Sequence, residues 1–193
     1  DPDCPDTLAN LGHALRQLGR VDDAVAAYDR SIGAAPDGIE GNFGNAVAHL
    51  TEGRYGAGWR CYLHRDSMAG ADPALHRAPL PADLSGRRIL VVMDQGLGDE
   101  IFFLRFAPAL RARGAEIAYA PDSRLAPMLE RAGVVDAVVE APDDSSGYDL
   151  RLSVGDLPYV LGMSEGHTPP PSLRIPALPD RLDALRDRLG ALG

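Results

Sequence analysis

The first 68 residues repeat themselves with an offset of 34, and this period restricts the possible folds more than any other feature of the chain. A repeat of this length holds one helical hairpin, and a single hairpin cannot bury its apolar face alone. We therefore expect helices over residues 5–18 and 21–34, stacked on a second and degenerate copy over residues 39–68. Residues identical between the copies include the pairs Pro2–Pro36, Asp3–Asp37, Ala14–Ala48, Gly19–Gly53, Arg20–Arg54 and Tyr28–Tyr62.

The first copy resembles a tetratricopeptide repeat. Small residues at Gly12 and Ala24 would let two helices approach closely, and large residues would fill the seam between them, namely Leu11, Leu15 and Tyr28. The resemblance implies that the helices bind a protein or a peptide. Three asparagines are candidates for hydrogen bonds to the backbone of that partner from a concave surface, namely Asn10, Asn42 and Asn45. The alternatives are that the helices are a packing extension or a dimerisation device, and that the asparagines are solvated residues on the helix faces.

The remainder of the chain predicts an open parallel sheet. Residues 69–86 are rich in proline and weak in periodicity, which is typical of a linker laid along the surface. From residue 87 short apolar runs alternate with helical patterns, as in a sheet with right-handed crossovers. We expect strands over 87–93, 115–120, 134–140 and 149–153, with helices over 99–114, over 123–132 and after residue 178. The predicted organisation is helical hairpins over 1–68, a linker over 69–86 and a Rossmann-like domain over 87–193.

Composition excludes several classes of function. All 19 basic residues are arginine, so a Schiff-base lysine and a Walker phosphate loop are absent. With a formal net charge of −9, the chain lacks the basic surface typical of a nucleic-acid binder. No apolar run approaches the roughly 20 residues of a membrane span. The two cysteines and five histidines have no disulfide or metal-site spacing, so we expect no metal and a cytoplasmic location.

A glycine loop follows the first predicted strand. Gln95, Gly96, Leu97 and Gly98 precede a helix, and backbone N–H groups at such a position can bind an anion. A dinucleotide fingerprint needs a third glycine where this chain has Ile101, which disfavours NAD. The acid-x-G-x-G pattern of residues 94–98 also resembles the loop of S-adenosylmethionine-dependent methyltransferases. A methyltransferase is therefore an alternative enzyme class.

Residues 90–117 and the segments after them resemble the N-terminal half of bacterial glycosyltransferase-like proteins. These proteins carry tetratricopeptide repeats before a domain related to the ADP-heptose heptosyltransferases. The resemblance implies the acceptor-side half of a glycosyltransferase-B architecture, with a sugar or glycoconjugate acceptor and a nucleotide-sugar as donor substrate rather than a cofactor. The residues that carry it are Gly58, Trp59, Tyr62, Arg65, Gln95, Gly96, Leu97, Gly98, Asp99, Arg105, Phe106 and Pro108.

The same resemblance implies that Asp99 is the general base that takes the proton of an acceptor hydroxyl. An aspartate in the first turn of a helix is also a common cap, so both roles stay open. Arg105 is a candidate partner for a phosphate or a carboxylate. Ser153 and Asp156 follow the last predicted strand, at the sheet edge where open α/β folds bind ligands. The alternative for them is a simple turn.

Two further expectations concern the site as a whole. Asp94, Asp99 and Glu100 place three carboxylates near one loop, which would repel a phosphate unless an arginine or a metal offsets them. The donor-side domain is not among these residues, so we expect a piece of a longer protein, without transferase activity of its own. The alternative to an enzyme is a non-catalytic interaction module. Oligomeric state is left open.

Overall fold

The computed structural model describes residues 3–68, 72–140 and 147–190. It begins with four helices, α1 (Pro5–Gln17), α2 (Val21–Ala34), α3 (Ile39–Thr51) and α4 (Tyr55–Tyr62). Connections of three or four residues join them, which is the length that places consecutive helices side by side and antiparallel. Helix α3 packs against α1 as well as α2. The two helices predicted for the first copy are confirmed, with α1 one residue shorter than expected.

A tyrosine of α2 explains why three helices approach so closely. Tyr28 is only 1% exposed, and its ring lies between Gly12 of α1 and Gly44 of α3. A Cβ atom on Gly12 would lie 2.7 Å from the ring, and one on Gly44 would lie closer still. The seam role expected of Leu11 is wrong, because its side chain is 46% exposed.

The second part of the chain forms a parallel sheet with strand order β3-β2-β1-β4. Its strands are β1 (Arg88–Val92), β2 (Glu116–Ala120), β3 (Ala137–Val138) and β4 (Leu150–Ser153). Ile89, Leu90 and Val91 are all fully buried, since both faces of β1 are covered. The coarse fold class, helices followed by a mixed α/β unit, is confirmed. Tetratricopeptide and glycosyltransferase-B identity stay predictions.

The helices of this unit are α5 (Leu97–Leu104), α6 (Ala107–Ala112), α7 (Ala126–Ala132), α8 (Leu157–Val160) and α9 (Pro179–Gly190). Residues 99–114, predicted as one helix, lie in two, because Pro108 has no N–H to bond the carbonyl of Leu104 and instead occupies the first turn of α6. The third strand, predicted over 134–140, is reduced to two residues. No helix in the described part of the chain is long and apolar enough to cross a membrane.

The predicted surface linker is packed against the sheet unit over its described part, residues 72–86. Leu80 and Leu84 are buried, and their N–H groups donate to the carbonyls of Val160 and Arg113. The helical part also shares a core with the sheet, since the Trp59 and Tyr62 rings contact Phe103 at centroid distances of 6.0 and 5.6 Å. Aromatic side chains therefore join the helical unit to the sheet unit.

Close packing around Tyr28 predicts opposite effects for two glycine-to-alanine substitutions. Gly44→Ala pushes a methyl group into the Tyr28 ring, and overpacking of this kind costs about 1–3 kcal/mol. Gly33→Ala in α2 meets no atom within 4 Å, so it should stabilise the helix by up to about 1 kcal/mol. Urea unfolding of both variants measures the difference. Equal stability of the two variants would contradict the packing described for α1, α2 and α3.

Candidate functional site

The glycine loop lies at the carboxyl end of β1, directly against the last helix of the repeat unit. Gln95 adopts a left-handed backbone conformation with φ of 60°, which turns the chain from the strand into α5. Its side-chain Nε2 donates a hydrogen bond of 2.7 Å to the Tyr62 hydroxyl of α4. The loop is therefore positioned from both sides, by the sheet beneath it and by the helical hairpins beside it.

A buried arginine holds this arrangement together. Arg65 follows α4, is 1% exposed, and donates from Nε to Asp94 Oδ2 at 2.9 Å and from Nη1 to Asp156 Oδ1 at 2.6 Å. Its Nη2 donates to Ser153 Oγ at 3.0 Å and also contacts the Asp94 carboxylate. Asp94 and Ser153 stand at the carboxyl ends of neighbouring strands, so one guanidinium connects both strand ends to the repeat unit.

Space and charge around the cluster are closely matched. A Cβ atom on Gly155 would lie 2.6 Å from both Arg65 Nη2 and Asp94 Oδ2, so the cluster leaves no room for a side chain there. Burial raises the pKa of Asp156. The positive charge of Arg65 acts in the opposite direction, because it stabilises the charged carboxylate. Nε of the partly exposed Arg77 lies 3.5 Å from Asp156 Oδ2. Two arginines thus balance two aspartates, as a buried ionic group requires.

The three carboxylates that the sequence placed near the loop have separate partners. Asp94 is paired with Arg65. Glu100 is 1% exposed, and its Oε2 accepts hydrogen bonds from the Tyr119 hydroxyl at 2.7 Å and from the Asp122 N–H at 3.1 Å. Burial raises the pKa of Tyr119, and the hydrogen bond to Glu100 adds to that rise. Two of the three charges are thereby turned away from the loop opening.

Asp99 is the carboxylate that stays at the loop. It is partly exposed, and its Oδ2 accepts a hydrogen bond of 3.2 Å from the Gly96 N–H, so it caps the start of α5. The capping role is present in the structure, and it occupies one of the two carboxylate oxygens. The glycine residues themselves are exposed at the surface of the loop, whereas Leu97 packs against the core.

The three other predicted substrate-binding residues do not face the opening of the loop. Ser153 and Asp156 are each 1% exposed and bonded to Arg65, so they hold the loop in place instead of lining an opening. Arg105 follows the C-terminal end of α5, about 12 Å along the helix axis from the loop at 1.5 Å per residue. Its guanidinium lies 5.4 Å from the centroid of the Phe102 ring.

The three asparagines do not share one surface. Asn10 borders a groove between α1 and α3. Asn42 donates to the carbonyls of Pro36 and Gly38, and Asn45 donates to Asp29 Oδ1 at 2.8 Å, so both amide donors are used inside the protein. The expectation that all three reach a peptide from one concave side is therefore wrong. On α3, the side chains that face the groove lie about half a helical turn away from Asn42 and Asn45.

Two openings flank the loop and the first helices, and sequence reasoning missed the residues they share. One is a cleft of about 360 Å³ between α3 and the loop, to which Gln95 and Asp66 contribute. The other is the groove of about 390 Å³ between α1 and α3. Glu40 and the 42% exposed Phe43 border both, so the two openings adjoin. An exposed aromatic residue in a helix was the available signal, but exposure cannot be read from a repeat pattern.

Comparisons with known proteins find similarity over part of this chain. No family model matches the chain. Protein FlbA of Caulobacter vibrioides is 34% identical over 140 residues, which is 67% of this chain and 24% of FlbA. The chain therefore spans about a quarter of the length of this relative. A mutant of the O-GlcNAc transferase of Thermobaculum terrenum is similar over 73% of this chain and 29% of its own, with 18% identity and a TM-score of 0.33.

Residues 3–68, 72–140 and 147–190 contain no group of three or more histidine, cysteine, aspartate or glutamate residues that could hold a metal ion. The polar groups around the loop are instead organised by Arg65.

Removing the arginine should make stability depend more strongly on pH around this cluster. Arg65→Met leaves Asp94 and Asp156 buried without their partner, which costs about 3–5 kcal/mol at pH 8. The folded-state pKa of Asp156, already raised by burial, then rises further, so the folded state binds a proton more tightly than the unfolded state. The destabilisation should therefore shrink as the pH is lowered from 8 to 5.

Urea unfolding at both pH values measures this effect, with Arg20→Met as the matched control. Arg20 is exposed and paired with Asp23 on the surface, so its loss should cost less than about 1 kcal/mol at either pH. A deficit of Arg65→Met that is the same at pH 5 and pH 8 would contradict the proposed role of the buried carboxylates.

Proposed function

We propose that this chain is the helical-repeat and acceptor-side part of a nucleotide-sugar-dependent glycosyltransferase-like protein. The observation that carries the proposal is the cleft between α3 and the glycine loop, which Gln95 borders four residues before Asp99. The cleft is bordered by the carboxylates of Glu40 and Asp66, the Gln95 amide and the exposed Phe43 ring, beside the carboxyl edge of the parallel sheet. Such a set suits an acceptor that presents a hydroxyl group. The motif resemblance described for residues 90–117 supports the same assignment.

The chemistry assigned to Asp99 is compatible with its capping contact. Its Oδ2 accepts the Gly96 N–H, which leaves Oδ1 to take the proton from an acceptor hydroxyl. The hydroxyl oxygen then forms a bond to the anomeric carbon of the donor sugar, and the bond between that carbon and the nucleotide phosphate breaks. The proton goes to Asp99 and the electron pair goes to the departing nucleotide. In this proposal, the site that binds the nucleotide-sugar is not formed by the residues of this chain.

Other residues of the cleft would position the acceptor. The Gln95 side chain is held by Tyr62, so its amide carbonyl has a defined direction for accepting a hydrogen bond. The exposed Phe43 ring offers an apolar surface on which a sugar face or an apolar side chain can lie. The cleft adjoins the groove between α1 and α3, so we propose a protein segment or a glycoconjugate bound to a protein as the acceptor.

Asp99→Asn tests the assignment in the complete protein. The asparagine side-chain oxygen can still accept the Gly96 N–H, so the helix cap is preserved, while the basic carboxylate is lost. Transfer should fall by about 10²–10⁴-fold, with a melting temperature close to that of the wild type. Release of the nucleotide from a panel of nucleotide-sugars, with cell extract protein as acceptor, measures the turnover.

The matched control is Asp83→Asn, since the Asp83 carboxylate also accepts a backbone N–H, from Ser85 at 2.9 Å, but lies away from the loop. This variant should keep full turnover. If Asp99→Asn is as active as Asp83→Asn, Asp99 is a cap only and the assignment of a general base fails.

A specific feature also favours a second function, that of a protein-binding module without catalysis. Tyr28 borders the groove between α1 and α3, and its buried hydroxyl has no hydrogen-bond partner among the described residues. A bound segment that accepts this hydrogen bond would satisfy it. Under this alternative, Tyr28→Phe weakens partner binding in a pull-down by roughly three- to tenfold, equivalent to one hydrogen bond, while Asp99→Asn leaves it unchanged.

A further inference from the structure

A third opening lies on the other side of the helical unit and belongs to neither assignment above. It is a cleft of about 410 Å³ between α2, α3 and α4. On α3 it is bordered by Asn42, Asn45 and His49, whereas Phe43 and Val47 face the groove. At 100° per residue these two sets of side chains lie on opposite sides of the helix. The cleft is therefore separate from the loop, the groove and the proposed acceptor path.

The floor of this cleft holds a hydrogen-bond acceptor without a donor. Asn45 is 2% exposed, and its Nδ2 donates to Asp29 Oδ1 at 2.8 Å. This bond fixes the orientation of the amide, with Nδ2 turned toward Asp29. Asn45 Oδ1 is buried and has no hydrogen-bond partner within the described residues. A buried acceptor without a donor costs about 1–3 kcal/mol, and such groups are rare in folded proteins.

A second unpartnered atom borders the same cleft. Nδ1 of His49 is buried and has no hydrogen-bond partner in the described ranges. Burial, together with the nearby Arg54, lowers the pKa of His49, so the ring is neutral near pH 7. Consequently His49 adds no positive charge that would oppose a cation in the cleft.

Two carboxylates, Asp29 and Asp37, border the cleft. Asp29 is exposed, and its Oδ1 alone is used by Asn45, so Oδ2 can accept another donor. Asp37 also borders the cleft with a 98% exposed side chain, and His64 lies 3.9 Å from it. Arg60 is the cationic side chain that borders the same cleft. Its flexible stem allows it to turn outward when a second cation enters.

We propose that this cleft binds a cationic side chain of a protein partner, a lysine ammonium or an arginine guanidinium. The nitrogen donor would bond to Asn45 Oδ1 at the floor and to the Asp29 carboxylate at the rim. Since Asn45 and Asp29 are already joined by a hydrogen bond, one cation can reach both acceptors. A cation is favoured over a neutral donor because a charge-assisted bond to Asp29 is roughly twice as strong.

A cysteine in the cleft gives a direct readout of occupancy. Cys61 borders the same opening as a free thiol, and burial raises its pKa. Cys4, at the start of α1, is a second free thiol that serves as an internal control. The probes are the N-acetyl methylamides of arginine, lysine and citrulline, the last being the neutral counterpart of arginine. Rates of alkylation by iodoacetamide are followed for each cysteine by mass spectrometry.

A saturating arginine or lysine probe should slow alkylation of Cys61 by threefold or more and leave Cys4 unchanged, while citrulline has no effect. Protection by arginine alone identifies a guanidinium site, and protection by lysine alone identifies an ammonium site. Equal protection by citrulline overturns the requirement for charge. Absence of protection by both cationic probes overturns the proposal.

Two substitutions on α2 complete the test. Asp29→Asn removes the rim charge but keeps an oxygen for the Asn45 amide, so the protein stays folded and the cationic probe should bind at least fivefold more weakly. Asp23→Asn removes a carboxylate that is paired with Arg20 outside the cleft and should leave binding unchanged. Equal effects of the two variants would overturn the site. Neither result depends on glycosyl transfer, so this proposal and the proposed function fail independently.

Discussion

The buried guanidinium of Arg65 is the contact on which the arrangement of the whole chain depends. Burying an arginine is costly unless every donor finds an acceptor, and here two carboxylates, a hydroxyl and the Tyr62 carbonyl supply them. The acceptors come from three segments far apart in sequence. The helical unit and the strand ends must therefore come together in one geometry, because any other would leave a charge buried and unpaired.

This constraint determines what the loop can offer to a ligand. Asp94 and Ser153 are used by the arginine, and Glu100 is used by Tyr119 and the Asp122 N–H. The carboxyl edge of the sheet is consequently less acidic at its surface than the residue types suggest. What remains open is a cleft with Gln95 on the sheet side and the α3 side chains on the other. The repeat unit thus forms one wall of the candidate site.

Sequence patterns predicted the elements well where a local rule decides them. The 34-residue period located α1 and α2, and the β-branched apolar run of residues 87–93 located β1, which is buried on both faces. The alternation of short apolar runs with helical patterns located β2 and β4. The patterns failed where long-range contacts decide. Ser153 and Asp156 stand at a sheet edge that often binds ligands, but only a buried arginine from the helical unit shows that they point inward. The prediction for Asn42 and Asn45 was wrong for a similar reason, since their hydrogen-bond partners lie in the preceding helix and in the turn after it.

The two roles considered for Asp99 are better treated as one arrangement than as alternatives. A cap uses one carboxylate oxygen, and the hydrogen bond from Gly96 prevents that oxygen from rotating away. The second oxygen is then held in a fixed direction, which is what a general base requires before it can take a proton. A base that was free to rotate would lose this preorganisation. For the general base that we propose, capping would therefore fix the direction of the reactive oxygen. Only loss of the carboxylate with retention of the cap separates the two contributions.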